Sequence, residues 1–130
     1  MLQQFVPDRR RNESKTTDLV AELSRALKAE RFDQAIDVYE LIEKRKPDDP
    51  RWAHRKGDLL RRIGRGPEAV IAYERAVHLY SEKGFDARAS ATARLLLALD
   101  PSKGDVLDWA DSQAARRVKR QSRNAFRLNY

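Results

Sequence analysis

Apolar residues along the chain return at steps of three and four, the spacing that lines one face of an α-helix. Leu19, Leu23 and Ala26 mark one such face, Ala35 and Tyr39 a second, and Trp52, Leu59, Leu60 and Ile63 a third. Ala69, Tyr73, Ala76 and Tyr80 follow, then Ala89 and Ala93. The last face runs through Leu107, Ala110, Ala114, Val118, Gln121, Ala125 and Leu128, with Trp109 joining near its start. The pattern predicts six helices, over about residues 16–29, 32–45, 50–63, 67–82, 86–98 and 103–126. Asp33 and Pro67 suit helix starts, Gly64 and Gly84 suit helix ends, and Pro47 and Pro50 break the chain between the second and third helices. Residues 1–14 carry no such period and read as a mobile arm. Residues 15–118 then form the helical domain, and 119–130 a basic tail continuing the last helix.

The pattern also repeats at a longer distance. Ala35 and Ala69 stand 34 residues apart, as do Tyr39 and Tyr73, Phe32 and Gly66, Ala26 and Leu60, Leu19 and Ala53, and Leu23 and Gly57. Each segment reads as helix, short turn, helix. A 34-residue helix–turn–helix period resembles the tetratricopeptide repeat. Gly57, Leu60, Gly64, Ala69, Tyr73 and Ala76 fall at that family's small, aromatic and turn positions, and Leu19, Leu23, Ala26, Ala35, Tyr39 and Pro47 do so one period earlier. Lys56 and Glu22 depart from it where the family has Leu, and Ala53 where it has Trp, with Trp52 adjacent. A third unit is less regular: Gly84-Phe85-Asp86 resembles the turn and Leu99-Asp100-Pro101 the repeat ending. The helix over 67–82 then either serves two repeats at once, with Ala89 and Ala93 on the following helix, or 86–98 and 102–125 form a plain third pair. The stretch from Tyr80 to Pro101 is also similar to helical-repeat segments that precede cyclic-nucleotide-binding domains in some bacterial regulators, though no nucleotide pocket carries over. The resemblance implies an all-α chain: an α-solenoid of about three antiparallel helix pairs with an amphipathic, basic C-terminal helix.

Composition agrees with helices. Five Gly and five Pro in 130 residues leave few turns, and Ala, Leu, Arg and Glu are abundant. No apolar run is long enough for a bilayer span or a secretion signal, so a cytoplasmic protein is expected, with no membrane insertion. With no Cys there is no disulfide, thiol nucleophile or Cys-based metal centre. The two histidines, His54 and His78, lack metal-ligand spacing, Gly64-Arg65-Gly66 is not followed by a phosphate-loop signature, and no acid–base pair stands out. A protein without cofactor or catalytic centre is expected.

Charge is concentrated at the ends. The net +7 divides into +2 over residues 1–15, +6 over 116–130 and −1 over everything between. Inside the repeats, the third helix is the exception. Arg51, His54, Arg55, Arg61, Arg62 and Arg65 lie off its apolar side, with Asp58 its sole acid. In the tetratricopeptide family first helices line a groove, and Arg51, His54, Asp58, Arg61 and Arg62 match the groove-facing positions. Arginine there suits a partner's carboxylates; alternatively the face is simply solvated and pairs with nearby acids. The family's clamp on a C-terminal carboxylate is not reproduced, since Val20 and Ser24 stand where its Lys and Asn would be.

On the last helix Arg116, Arg120, Arg123 and Arg127 form a ridge away from the Ala-rich stripe. Residues 103–118 suit a cap over the end of the repeats. The basic groups beyond exceed what a cap needs and suit an acidic target. An acidic protein surface is the first choice and nucleic-acid phosphate the second, without a readout module. Tyr39, Tyr73 and Phe32 are expected in the core, and His78 in a structural role. Leu2, Phe5 and Val6, and likewise Phe126, Leu128 and Tyr130, are either short docking motifs or ends that are disordered or self-packed. The function implied is protein–protein binding by an adaptor, with the oligomeric state open.

Overall fold

The computed structural model describes residues 9–128, the side chains of 9–12, 14, 126 and 128 excepted. It is all-helical: α1 (Arg9–Lys28), α2 (Phe32–Arg45), α3 (Pro50–Arg62), α4 (Gly66–Glu82), α5 (Asp86–Leu99) and α6 (Gly104–Leu128), with a short 3₁₀ turn at Pro101–Lys103. Among the described residues there is no strand. Four of the six helices begin and end within one residue of the pattern-based bounds. α1 begins at Arg9, so residues 9–14, expected in a mobile arm, are helical. Its first turns are polar and basic, and only the regular 3.6-residue apolar spacing from Leu19 onward marked it in the sequence.

The chain divides into two compact units, the first ending at Pro47 and the second beginning at Asp48. In the first, α1 packs against α2, with Leu23, Ala26, Ala35, Ile36, Val38, Tyr39 and Ile42 buried. Phe32, expected in the core, is only half-buried because it is the first residue of α2, beside the turn.

In the second unit α4 packs against α3, α5 and α6, and α5 against α6. Tyr73, Val77, Thr92 and Leu96 are fully buried at its centre. Ala53, Ala69, Ala76, Ala89 and Ala93 are each 0% exposed, so the helices meet across methyl groups and approach closely. Trp52, Leu59 and Leu60 are buried on α3, while Ile63, just past its end, is half-buried.

One turn geometry recurs three times. Ala29–Arg31, Ile63–Arg65 and Lys83–Phe85 each link two helices, with a left-handed residue in the middle: Glu30 (φ 56), Gly64 (φ 81) and Gly84 (φ 79). In each, the last residue's N–H reaches back five residues: Arg31 to the Ala26 carbonyl (2.9 Å), Arg65 to Leu60 (2.8 Å) and Phe85 to Tyr80 (2.9 Å). This is the Schellman closure, which satisfies carbonyls the helix end leaves over. Each closing residue then accepts the first hydrogen bond of the next helix, from Ala35 (3.0 Å), Ala69 (3.0 Å) and Ala89 (2.9 Å). These three alanines, each four residues past the same turn, are all fully buried. The α4–α5 connection is therefore built like the α3–α4 connection. The α5–α6 connection differs: Asp100 caps the Pro101–Lys103 turn, accepting from Ser102 N (3.1 Å) and Ser102 Oγ (2.6 Å).

Candidate functional site

α3 positions the residues the sequence singled out. Asp49 caps it, accepting from Arg51 N at 3.1 Å, and Pro50 follows at the first helical position, where its missing N–H is no loss. Trp52, Ala53, Gly57, Leu59 and Leu60 turn inward. At about 100° per residue, Arg51, His54, Arg55, Asp58, Arg61 and Arg62 then share an arc of about 120° on the other side. Arg51, Arg55, Arg61 and Arg62 are exposed; His54 and Asp58 are half-buried.

The half-buried pair belongs to an internal polar cluster. Tyr73 on α4 donates to Asp58 Oδ1 at 2.6 Å. Asp58 Oδ2 lies 3.7 Å from His54 Nε2. His54 Nδ1 lies 3.0 Å from the Tyr80 hydroxyl and 3.5 Å from Thr92 Oγ1 on α5. Thr92 gives its own proton to the Arg88 carbonyl at 2.7 Å. The His54 ring thus has the Asp58 carboxylate on its Nε2 side and two hydroxyls on its Nδ1 side. The imidazole also stands edge-on to both tyrosine rings, with centroids 5.8 Å apart in each case. Burial, with the bond to Asp58 second, pushes the Tyr73 phenol well above its ordinary range. Burial raises Tyr80 as well. Both stay protonated at neutral pH, and Tyr73 donates to Asp58. His54 and Asp58 thus tie α3 to α4 and α5.

The exposed arginines are partly engaged. Arg51 grips Asp49 with Nε 3.0 Å from Oδ1 and Nη2 2.7 Å from Oδ2, a bond that holds the Asp49 carboxyl below its ordinary value. The Arg55 guanidinium sits 5.2 Å over the Trp52 ring. Arg65, just past the helix, pairs with Glu68 at 2.9 and 2.7 Å.

A cavity of about 340 Å³ opens where α3 and α5 begin and α4 ends. Asp49, Arg51, Tyr80, Lys83, Phe85 and Arg88 line it. Phe85 is 47% exposed, and the Arg88 guanidinium lies 5.7 Å from its ring centroid. Sequence reasoning named Arg51 here but passed over Lys83, Phe85 and Arg88. The available signal was the turn at Gly84: a tight hairpin brings the residues flanking it to the same end as the start of α3.

α6 carries the other group. Its first half is covered: Val106 and Ala110 are buried, Trp109 packs on His78 with centroids 4.4 Å apart, and Ser90 donates to Asp111 at 2.7 Å. His78, expected to be structural, is exposed on α4, where it supports this contact. Arg117 Nε bonds Asp86 at 3.1 Å, and its guanidinium also donates to the Ser81 carbonyl. Its role as a clamp is missing from the sequence reading, which counted it only in the positive charge of residues 116–130. From Val118 on, every described side chain is exposed, including Arg120, Arg123 and Arg127; Arg116 is exposed too. Among the described residues nothing covers the apolar stripe that continues through Val118, Gln121 and Ala125, and Val118 is 61% exposed. The reason is length. At ~1.5 Å per residue the 25-residue α6 spans about 37 Å and the 14-residue α5 about 21 Å. The side chains of Leu2, Phe5, Val6, Phe126, Leu128 and Tyr130, named as docking candidates, lie outside the described residues.

Among the described residues, no three His, Asp or Glu side chains are grouped to hold a metal ion, and no helix is long and apolar enough to cross a membrane. No protein-family model matches the chain, and no curated protein matches it significantly.

Proposed function

We propose that the protein is a non-catalytic, cytoplasmic adaptor that binds an acidic surface of a protein partner. In this reading its helices are tetratricopeptide-like pairs, about three in number. The exposed arginines of α3 and the basic end of α6 are the contact groups. The observation that carries it is the contrast within α3. Two of its polar residues, His54 and Asp58, are held inside by Tyr73 and Tyr80, while Arg55, Arg61 and Arg62 remain exposed beside them. A rigid internal cluster under an exposed set of forked cations suits recognition of carboxylates, because the scaffold is already ordered before the partner arrives. The recurring turns and their buried alanines support the repeat reading.

The test is capture of partners by the full chain, repeated after nuclease treatment and with Arg61→Glu/Arg62→Glu. The adaptor reading expects capture to survive nuclease and to fall with the double variant. Capture that vanishes with nuclease, together with tight duplex binding at physiological salt, replaces it with the nucleic-acid reading.

A further inference from the structure

The cavity at the α3–α4–α5 end has a composition of its own. Three cations line it, Arg51, Lys83 and Arg88, against one acid, Asp49. Asp49 is occupied by Arg51. Lys83 and Arg88 are both exposed, and Lys83 also helps hold the Asp49 carboxyl below its ordinary value. The excess is therefore two positive charges in one recess. α3 and α5 open at it and α4 closes at it, so two positive helix-dipole ends stand against one negative end. Phe85 supplies an exposed ring beside the cations, with Arg88 against it. The volume of 340 Å³ is at the small end of the range for ligand sites.

We infer that this cavity binds a phosphate monoester carried on an aromatic or apolar body. A monoester carries close to two negative charges at neutral pH and matches the excess of two. A carboxylate or a phosphodiester carries only one. The guanidinium of Arg88 and the ammonium of Lys83 are the groups left to meet its oxygens, since Arg51 is held by Asp49. The ring of Phe85 takes the body of the ligand. This goes beyond the adaptor reading: of the exposed α3 arginines only Arg51 lines the cavity, and Arg55, Arg61 and Arg62 do not.

The experiment is a titration of the full chain with phenyl phosphate, followed by backbone amide resonances. Phenyl sulfate, of the same shape with one charge fewer, is the control. Saturable displacements are expected at Arg51, Lys83, Phe85 and Arg88, with phenyl phosphate binding roughly fivefold or more tightly than phenyl sulfate. Lys83→Gln/Arg88→Gln is expected to weaken binding by about tenfold or more. Both residues are exposed, so an unchanged melt certifies the variant's fold. Arg61→Glu/Arg62→Glu is expected to leave binding intact. Equal affinity for the sulfate, unchanged affinity in the Lys83/Arg88 variant, or displacements centred on Arg116–Arg127 overturns the proposal. A phosphotyrosine peptide flanked by alanines then separates the two sources of the same chemistry. Tighter binding than phenyl phosphate identifies a phosphorylated protein side chain, and equal or weaker binding a free phosphorylated small molecule.

Discussion

Gly57 on α3 lies directly against the ring of Tyr73 on α4: a Cβ at position 57 falls 2.8 Å from both Cδ1 and Cε1 of that ring. Tyr73 is 0% exposed and its hydroxyl is held by Asp58, so the ring has no free direction in which to retreat. Gly57→Ala is therefore expected to destabilise the protein. Overpacking of this kind costs roughly 1–3 kcal/mol, and the better helix propensity of Ala returns about 1 kcal/mol of it. A lower melting temperature by circular dichroism checks this; a higher one shows that the contact is looser than described.

Glu30 occupies the left-handed turn position that Gly64 and Gly84 fill elsewhere. A side chain there costs on the order of 1 kcal/mol, because Cβ crowds the following carbonyl. Glu30→Gly is expected to raise the melting temperature, whereas Gly64→Ala and Gly84→Ala are expected to lower it. Thermal melts of the three single variants are sufficient.

Alkali is expected to unfold the protein from about pH 10 upward. Tyr73 and Tyr80 have raised pKa values in the folded chain, burial being the leading cause for each. Above the ordinary tyrosine value the unfolded chain releases protons that the folded chain retains. Stability is thus fully present below that pH and falls as pH rises toward the folded values, by up to about 1.4 kcal/mol per pH unit for each phenol. Tyrosinate absorbance and helicity followed together should show part of the tyrosine signal appearing only as the helices melt.

Arg117 and its neighbours on α6 are expected to separate in a mutational series. Arg117→Ala removes a half-buried ion pair with Asp86 and a bond to the Ser81 carbonyl, and should cost about 1 kcal/mol. Arg116→Ala, Arg120→Ala and Arg123→Ala should each leave the melt almost unchanged. Deleting 119–130 should likewise move it little, while removing four of the positive charges. A truncated chain that fails to fold would place structural contacts beyond Arg117.

The helices were legible because burial leaves a periodic mark: Ala69, Tyr73, Ala76 and Tyr80 could be read directly as an inward face, and they are buried. Gly64 and Gly84 were legible as ends, since a left-handed turn selects for glycine. Glu30 was not, because the same backbone closes around a residue type that gives no such signal. The α3 arc was visible as a run of arginines, but the division within it was not. His54 and Asp58 face inward only because Tyr73, Tyr80 and Thr92 arrive from other helices, and pairing across helices leaves no trace in local spacing. Arg117 was hidden for the same reason: among adjacent basic residues, only the arrival of Asp86 and Ser81 distinguishes it. The apolar period of α6 runs on through Val118, Gln121 and Ala125, yet period alone does not tell whether a neighbouring helix is long enough to cover it.

That overhang gives α6 two kinds of stability in one rod. Up to Arg117 its amide protons are shielded by the same packing that holds the body together, so they should exchange only when the body opens. Beyond it, each peptide hydrogen bond is sustained by the turn before it, and a stretch of about ten residues is too short to be a stable helix on its own. The end should fray from its tip inward, its exchange rates graded residue by residue. Any ligand that settles along Arg116, Arg120, Arg123 and Arg127 spans that boundary, so its binding would register as slowed exchange in the distal amides.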